Sequence, residues 1–362
     1  MARVVTFGEV MGRLAPPGHL RFQQAMPGTL DMTFAGAEAN VAVSIARLGG
    51  EASFVSALPE GPLADACIET LRRWGVDTRS TVRGEGRLGL YFLETGANQR
   101  PGRVVYDRDG SAIALAPAEA YAWDEALRGA SWFHVSGITP AISRRAADAT
   151  LAAVRAARAS GATVSCDLNF RKKLWRWEKG TPPRELAERT MRQVLAHVDL
   201  VIANEEDAAM VLSIEARETD VEAGRLAVDA YPEVAREIER QFPQVSRVAI
   251  TLRESISASH NDWGAMVHDA RRDSASFAPL SGGEYAPYEI RDIVDRVGAG
   301  DAFAAALIFA FLTPELSEPA RAVSFAAAAS CLAHSIVGDF NLTTRDEVEA
   351  LLRGGGSGRV VR

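Results

Sequence analysis

Short apolar runs and amphipathic runs take turns through the middle of the chain. Residues 132–135, 162–168, 200–203 and 247–252 read as buried strands, and 143–159, 185–196, 205–212 and 234–241 read as the helices among them. Consecutive strands joined through a helix lie parallel, and such a sheet needs helices on both faces. This alternation constrains the fold more than any other feature. It predicts a three-layer α/β/α domain with a mostly parallel central sheet, and it puts ligands at the carboxyl ends of the strands. The chain opens in the same way. Residues 4–7 form a strand that ends at Gly8-Glu9, and 36–48 form a helix with Val41, Ile45 and Leu48 at i, i+4 and i+7, stopped by Gly49-Gly50. A strand over 52–57 and a helix over 63–74 follow, with a further strand at 264–267.

Two stretches interrupt the pattern. Residues 89–94 and 103–106 read as strands joined by a polar loop, 95–102, which suggests a hairpin. Together with the Gly/Pro-rich stretch near residues 16–28, they suggest a small β-strand lid built from segments about 10–35 and 87–112. One domain then spans 1–353, and the Gly354-Gly355-Gly356-Ser357-Gly358 run starts a flexible tail over 354–362.

A chain of 362 residues with 47% hydrophobic and 24% charged residues has ample material for one large core. A net charge of -7 argues against nucleic acid as the main partner. Cys67, Cys166 and Cys331 are odd in number and far apart, with no disulfide or zinc spacing, so a reducing cytoplasm is expected. No stretch reads as a signal peptide, and the longest apolar run is shorter than the roughly 20 residues a membrane span needs.

The stretch richest in chemistry is Asp295-Arg296-Val297-Gly298-Ala299-Gly300-Asp301-Ala302-Phe303, between a strand-like segment, 288–294, and an apolar helical run, 302–312. Gly298 and Gly300 allow a tight turn and a close approach of backbone N–H groups to a ligand. A helix start favours an anion. Asp301 puts a carboxylate inside that anion site. Were a phosphate bound there, Asp301 would be placed to take a proton from an attacking hydroxyl, with the Gly298, Ala299 and Gly300 amides stabilising the charge in flight. Alone, the same residues also make an ordinary glycine-rich turn with a helix-start aspartate.

A second stretch, Ala35-Gly36-Ala37-Glu38-Ala39-Asn40-Val41-Ala42 continuing to Gly49, resembles the first signature of ribokinase-like (PfkB-type) carbohydrate kinases, and the 295–303 stretch resembles their second. Ala35 stands where that family usually has Gly, and Arg296 where it often has Thr. The segments Tyr106-Asp107-Arg108-Asp109-Gly110-Ser111-Ala112, Asp167-Leu168-Asn169-Phe170-Arg171 and Thr251-Leu252-Arg253-Glu254 are similar to those of 2-keto-3-deoxygluconate kinases. The resemblance implies a ribokinase-like fold and phosphorylation by ATP of the terminal hydroxyl of a six-carbon 2-keto-3-deoxy acid, giving the 6-phosphate, with Asp301 as general base.

A sugar acid needs a cation for its carboxylate, and arginine offers a planar two-toothed donor. Arg108 and Arg171 each follow a strand, and either could serve; a surface ion pair is the alternative. Tyr91 and Tyr106 lie on the lid strands, where they could cover a sugar or pack across the strands. Gly36 and Asn40 begin the first helix and suit hydroxyl recognition or a close-packed cap. The resemblance adds Asp339 as a further contact to sugar hydroxyls. It places Asn169, Asn204, Thr251 and Arg253 around the nucleotide, and Mg2+ near Glu206 and Asp207 through water. Asp207 stands where Glu is typical, and an acidic first helical turn explains the same residues without a metal. Glu9 is left out of the substrate set, because it would lie close to the substrate's carboxylate. K+ near Asp295 and a homo-oligomer, dimer or higher, are expected on family grounds. The histidines show no metal spacing, and Trp175 and Trp177 read as packing.

The closest competing reading is a related kinase for a neutral sugar such as fructose. A nicotinamide dehydrogenase is disfavoured because Phe303 replaces the third small residue of the dinucleotide fingerprint, and no Gly-Lys-Ser/Thr phosphate loop is present. An inactive sugar-binding regulator would not need Asp301 and both glycines.

Overall fold

The computed structural model describes residues 2–204, 206–215 and 228–354. β1 (Arg3–Phe7), β2 (Met11–Ala15), β3 (Asp31–Ala35), α1 (Ala37–Arg47) and β4 (Glu51–Val55) come first. β5 (Gly89–Glu94) and β6 (Arg103–Asp107) follow. Then come β7 (Ala130–Ser136), β8 (Thr163–Asp167), β9 (Leu200–Ala203) and the short α2 (Asp207–Leu212). β10 (Arg247–Ser257), β11 (His260–Asp269), β12 (Ser274–Ala278), α3 (Ala299–Leu312) and α4 (Pro319–Ala333) close the list of elements that matter for the site.

The main sheet has the order β12-β11-β10-β9-β8-β7-β1-β4, with Val76–Asp77 as a short edge beyond β4 and Tyr288–Arg291 beside β11. From β10 to β4 every pairing is parallel. Arg144–Ala159, Pro183–Leu195 and Tyr231–Gln241 are the helices of the crossovers. The end of the sheet departs from this rule: β10, β11 and β12 are antiparallel. The predicted strands at 247–252 and 264–267 are parts of one long hairpin. Only Ala258 and Ser259 separate its arms, too few residues for a crossover. The strand expected over 288–294 stops at Arg291, where Asp292 takes a positive φ of 55° and breaks the extended run.

A second sheet has the order β3-β2-β5-β6. β2 pairs with β5 in parallel, and the other two pairings are antiparallel. Its strands come from the segments 10–35 and 87–112. Only Gly8, Glu9 and Val10 separate β1 from β2, so this lid sheet starts at the carboxyl end of β1.

α3 is apolar all round, as a helix enclosed on every side must be. Its residues from Ala302 to Ala310 are buried, and it packs on α4 and α1. Phe303, Leu307 and Ile308 are fully buried, each worth roughly 1.5–3 kcal/mol of transfer free energy. The first turn of this fixed helix carries Asp301. Trp175 is part of the core on the other face of the sheet, and the Trp177 indole N–H donates to the Pro140 carbonyl at 3.0 Å. Among the described residues no helix is long and apolar enough to cross a membrane. The tail expected over 354–362 lies, apart from Gly354, outside the described residues.

Candidate active site

A cavity of about 340 Å³ opens at the carboxyl ends of β1, β8 and β9 and is bordered by Tyr91, Val104 and Tyr106 of the lid sheet. The start of α3 forms part of its wall. Gly298 caps that helix with a φ of 88°, and a Cβ there would sit 2.3 Å from the Asp339 carbonyl oxygen, so only glycine fits. Around the Cα of Gly300 nothing lies within 4 Å of where a Cβ would be. The first helical hydrogen bond runs from Ala302 N to Gly298 O at 2.8 Å. The amides of Ala299, Gly300 and Asp301 therefore have no partner within the helix and remain available to an anion.

Asp301 faces this cavity. Asn40 Nδ2 donates to Asp301 Oδ2 at 2.6 Å, and Asn40 Oδ1 accepts from Gly36 N at 3.1 Å. A Cβ on Gly36 would meet the Glu9 carbonyl at 2.0 Å, so the start of α1 is pressed against the end of β1. Burial pushes the Asp301 carboxyl up to about 7, and the negative charges of Asp339 and Glu38 add to it; the Asn40 hydrogen bond and Arg171 pull the other way. A carboxyl balanced near neutrality beside unpaired amides suits a general base acting on a hydroxyl next to a phosphate.

Gly36, Asn40, Tyr91, Tyr106, Arg108, Asn169, Arg171, Asn204, Asp207, Thr251, Arg253, Asp339 and the 298–301 loop all line the one cavity. Glu206 does not; it is exposed. Asp207 is buried, and its carboxylate is engaged by backbone: Oδ2 accepts from Asn204 N and Oδ1 from Phe170 N, both at 3.0 Å. Asn204 Oδ1 in turn accepts from Asp207 N at 2.9 Å. This reciprocal cap fixes the turn from β9 into α2.

Several polar pairs within the site were not foreseen from the sequence. Glu9, left out of the substrate set, lines the cavity and accepts from Arg108 Nε at 2.6 Å. The objection that it would repel a substrate carboxylate is met by that pair, which is internally neutral. Arg108 is correspondingly a paired guanidinium, only 5% exposed. Tyr91 lines the cavity and gives its hydroxyl to Asp339 Oδ1 at 2.7 Å. Asp339, which lines the cavity, also accepts from Arg13 at 2.6 Å through the same Oδ1. Near the expected K+ position, Asp295 is likewise engaged: Oδ1 accepts from Val297 N at 3.1 Å, and Oδ2 from Gly338 N at 3.2 Å and from Arg13.

The sequence reading missed several lining residues. Asp167 ends β8, and burial together with Asp207 and Asp301 pushes its carboxyl well above the usual range. Its place at the carboxyl end of a parallel strand was the available signal. Arg296 bonds Asn261 Oδ1 at 2.8 Å, and Asn261, Trp263, Arg296 and His334 complete the wall beside Arg253. The Asn261 Nδ2 and Trp263 Nε1 donors are buried and have no protein partner. Two arginines, Arg253 and Arg296, on one wall of the cavity suit a polyanion such as a nucleotide's phosphates. His134 is a core histidine, hydrogen-bonded to Ser165 Oγ at 2.8 Å and pushed down to about 3 by burial.

Among known proteins, the pfkB family carbohydrate kinase description matches residues 1–239. The chain is 33% identical over 357 residues to a 2-dehydro-3-deoxygalactonokinase of Haloferax volcanii, covering 99% of this chain and 98% of that one. It is 28% identical over 274 residues to fructokinase-1 of Oryza sativa subsp. japonica, covering 75% of this chain and 72% of that one. Among solved structures, a 2-dehydro-3-deoxygluconokinase from Thermotoga maritima aligns with a TM-score of 0.88 at 44% identity, covering 98% of this chain and all of that one.

Proposed function

This chain belongs to the pfkB family of carbohydrate kinases, and on that premise we propose that it is an ATP-dependent sugar-acid kinase acting on 2-keto-3-deoxygluconate (2-dehydro-3-deoxy-D-gluconate). The observation that carries the reading is the Asp301 carboxyl, balanced near neutrality at the open end of α3, in a cavity that also holds Arg108 and Arg171. Asp301 takes the proton from the terminal hydroxyl. The hydroxyl oxygen forms a bond to the γ-phosphorus as the bond from that phosphorus to the bridging oxygen breaks, and ADP leaves. The Ala299, Gly300 and Asp301 amides hold the oxygens of the moving group. Arg253 and Arg296 hold the remaining phosphates. Arg108 and Arg171 orient the acid, and the Tyr91 and Tyr106 rings exclude water that would compete as acceptor.

Mg2+ fits this donor set in a limited way. Among the described residues no three acidic, His or Cys side chains come together to cage a metal. Mg2+ keeps most of its waters and takes few protein carboxylates, so Asp207 and Asn204 would hold it through water beside the phosphates. When bound it supplies neutralising charge to those phosphates.

A kinase for a neutral sugar is the competing reading, and the Glu9–Arg108 pair favours it, because a neutralised arginine is a weaker anchor for a carboxylate. Coupled ADP-release assays across 2-keto-3-deoxygluconate, its galactonate epimer, fructose and ribose decide the matter. Turnover confined to neutral sugars refutes the sugar-acid reading.

A further inference from the structure

Arg13 lies on β2 of the lid sheet and is 4% exposed. It is absent from the wall of the active-site cavity. Its Nη1 donates to Asp339 Oδ1 at 2.6 Å, and its Nη2 to Asp295 Oδ2. Burial opposes the charge on Arg13, but Asp339 and Asp295 outweigh it and hold the guanidinium more firmly protonated than usual. Tyr91 stands opposite Arg13 on the neighbouring strand and donates to the same Asp339 oxygen. Two lid strands thus converge on two carboxylates.

Those carboxylates flank the loop that carries the chemistry. Asp295 opens it and receives the amides of Val297 and Gly338. The Asp339 backbone lies against Gly298, at the very point where the helix start turns. Asp339 is also among the charges acting on Asp301. One guanidinium therefore serves both flanks of the loop, and its planar fork suits two carboxylates at once.

We infer that Arg13 is a positioning residue for phosphoryl transfer: it ties the lid sheet to both flanks of the 298–301 loop and sets where the loop's amides and Asp301 stand. It touches neither substrate and acts through Asp295 and Asp339. The inference rests on the kinase reading above. A second cavity of about 500 Å³, bordered by Arg13, His19, Asp31, Val294, Asp295 and Gly338, lies behind the loop and gives small cations a route to this place.

The test is Arg13→Ala and Arg13→Lys, assayed with whichever acceptor the native chain prefers. We expect Arg13→Ala to lose about a hundredfold in kcat while KM for both substrates stays within about threefold, because the loop is misplaced but the binding walls are intact. Millimolar guanidinium chloride should restore about tenfold of that loss, and equal sodium chloride should not. Arg13→Lys, which keeps the charge but not the fork, should fall between the two. Independently of catalysis, hydrogen exchange at the Val297 and Gly338 amides should speed up in Arg13→Ala and slow again with guanidinium. A folded Arg13→Ala with kcat within threefold of native, a loss expressed only in KM, or a loss that guanidinium does not touch overturns the inference. If Arg13→Ala does not fold, Arg13→Lys decides by the same kcat-against-KM split, and failure of both to fold assigns Arg13 to stability alone and overturns the positioning role. If the native chain phosphorylates nothing, the kinase reading fails, while the exchange measurement still decides whether Arg13 fixes the loop.

Discussion

The sharpest single perturbation is Asn40→Ala. Asn40 Nδ2 donates at 2.6 Å to Asp301 Oδ2, and this hydrogen bond favours the ionised carboxyl. The other groups acting on Asp301 are Asp339 and Glu38, which raise its pKa, and Arg171, which lowers it; all three are untouched by the substitution. A hydrogen bond to a charged group is worth roughly 1.5–3 kcal/mol, and about 1.4 kcal/mol is a factor of ten in the proton equilibrium. Removing the donor favours the protonated form, so the acidic limb of kcat/KM, expected near pH 7 in the native chain, should move upward by about one to two pH units. The variant should then be impaired about tenfold or more near pH 6 and approach the native rate at alkaline pH. Initial rates of ADP release at limiting sugar and saturating ATP, from about pH 5.5 to about pH 9.5, report it. A limb that stays at the native position, or a rate depressed equally at every pH, would show that Asn40 does not tune the base.

Other consequences follow from the same geometry. Asp301→Asn should lose about a thousandfold or more in turnover, within the range a general base contributes. Its stability should show the opposite sign. The native carboxyl titrates at about 7 against an ordinary 3.8, so its contribution to folding is fully present below about pH 4 and lost as pH rises through 7. The asparagine variant should therefore melt higher at alkaline pH and not in acid, by at most about 4 kcal/mol and by less where cavity water screens the charge; equal melting shifts at both pH values would contradict the burial of Asp301. Arg108→Met, made with Glu9→Gln so that no carboxylate is stranded, should cut kcat/KM for a sugar acid about tenfold to a hundredfold and leave a neutral sugar nearly untouched. Met32 and Val105, on lid strands β3 and β6, are 41% and 49% exposed, and a second copy covering them would give a homodimer in sedimentation, lost when both are changed to Glu.

The parallel half of the sheet was legible because its signals are local: each apolar run and each helical period sits within a dozen residues or so. The glycine turn into α3 was legible for the same reason, since Gly298, Gly300 and Asp301 are near neighbours whose conformational demands can be read in place. The antiparallel hairpin of β10 and β11 was not, because a run such as 264–267 announces a strand but says nothing about its direction. Charge state was illegible altogether. An aspartate in a sequence carries no record of the burial and neighbouring carboxylates that bring Asp301 to neutrality. The pairs that shape the site join residues far apart in the chain: Asn40 to Asp301 across 261 positions, Arg108 to Glu9 across 99, Arg13 to Asp339 across 326. Arg13 in particular sits in an unremarkable alternating strand, where a solvent-facing arginine is the ordinary expectation. Only when the chain closes on itself does that residue meet the two carboxylates beside the loop. On the proposed reading the loop residues carry the reaction, and partners from the other end of the chain set the geometry and protonation in which it runs. A substitution at a quiet position such as Arg13 should therefore damage turnover as surely as one inside the signature itself.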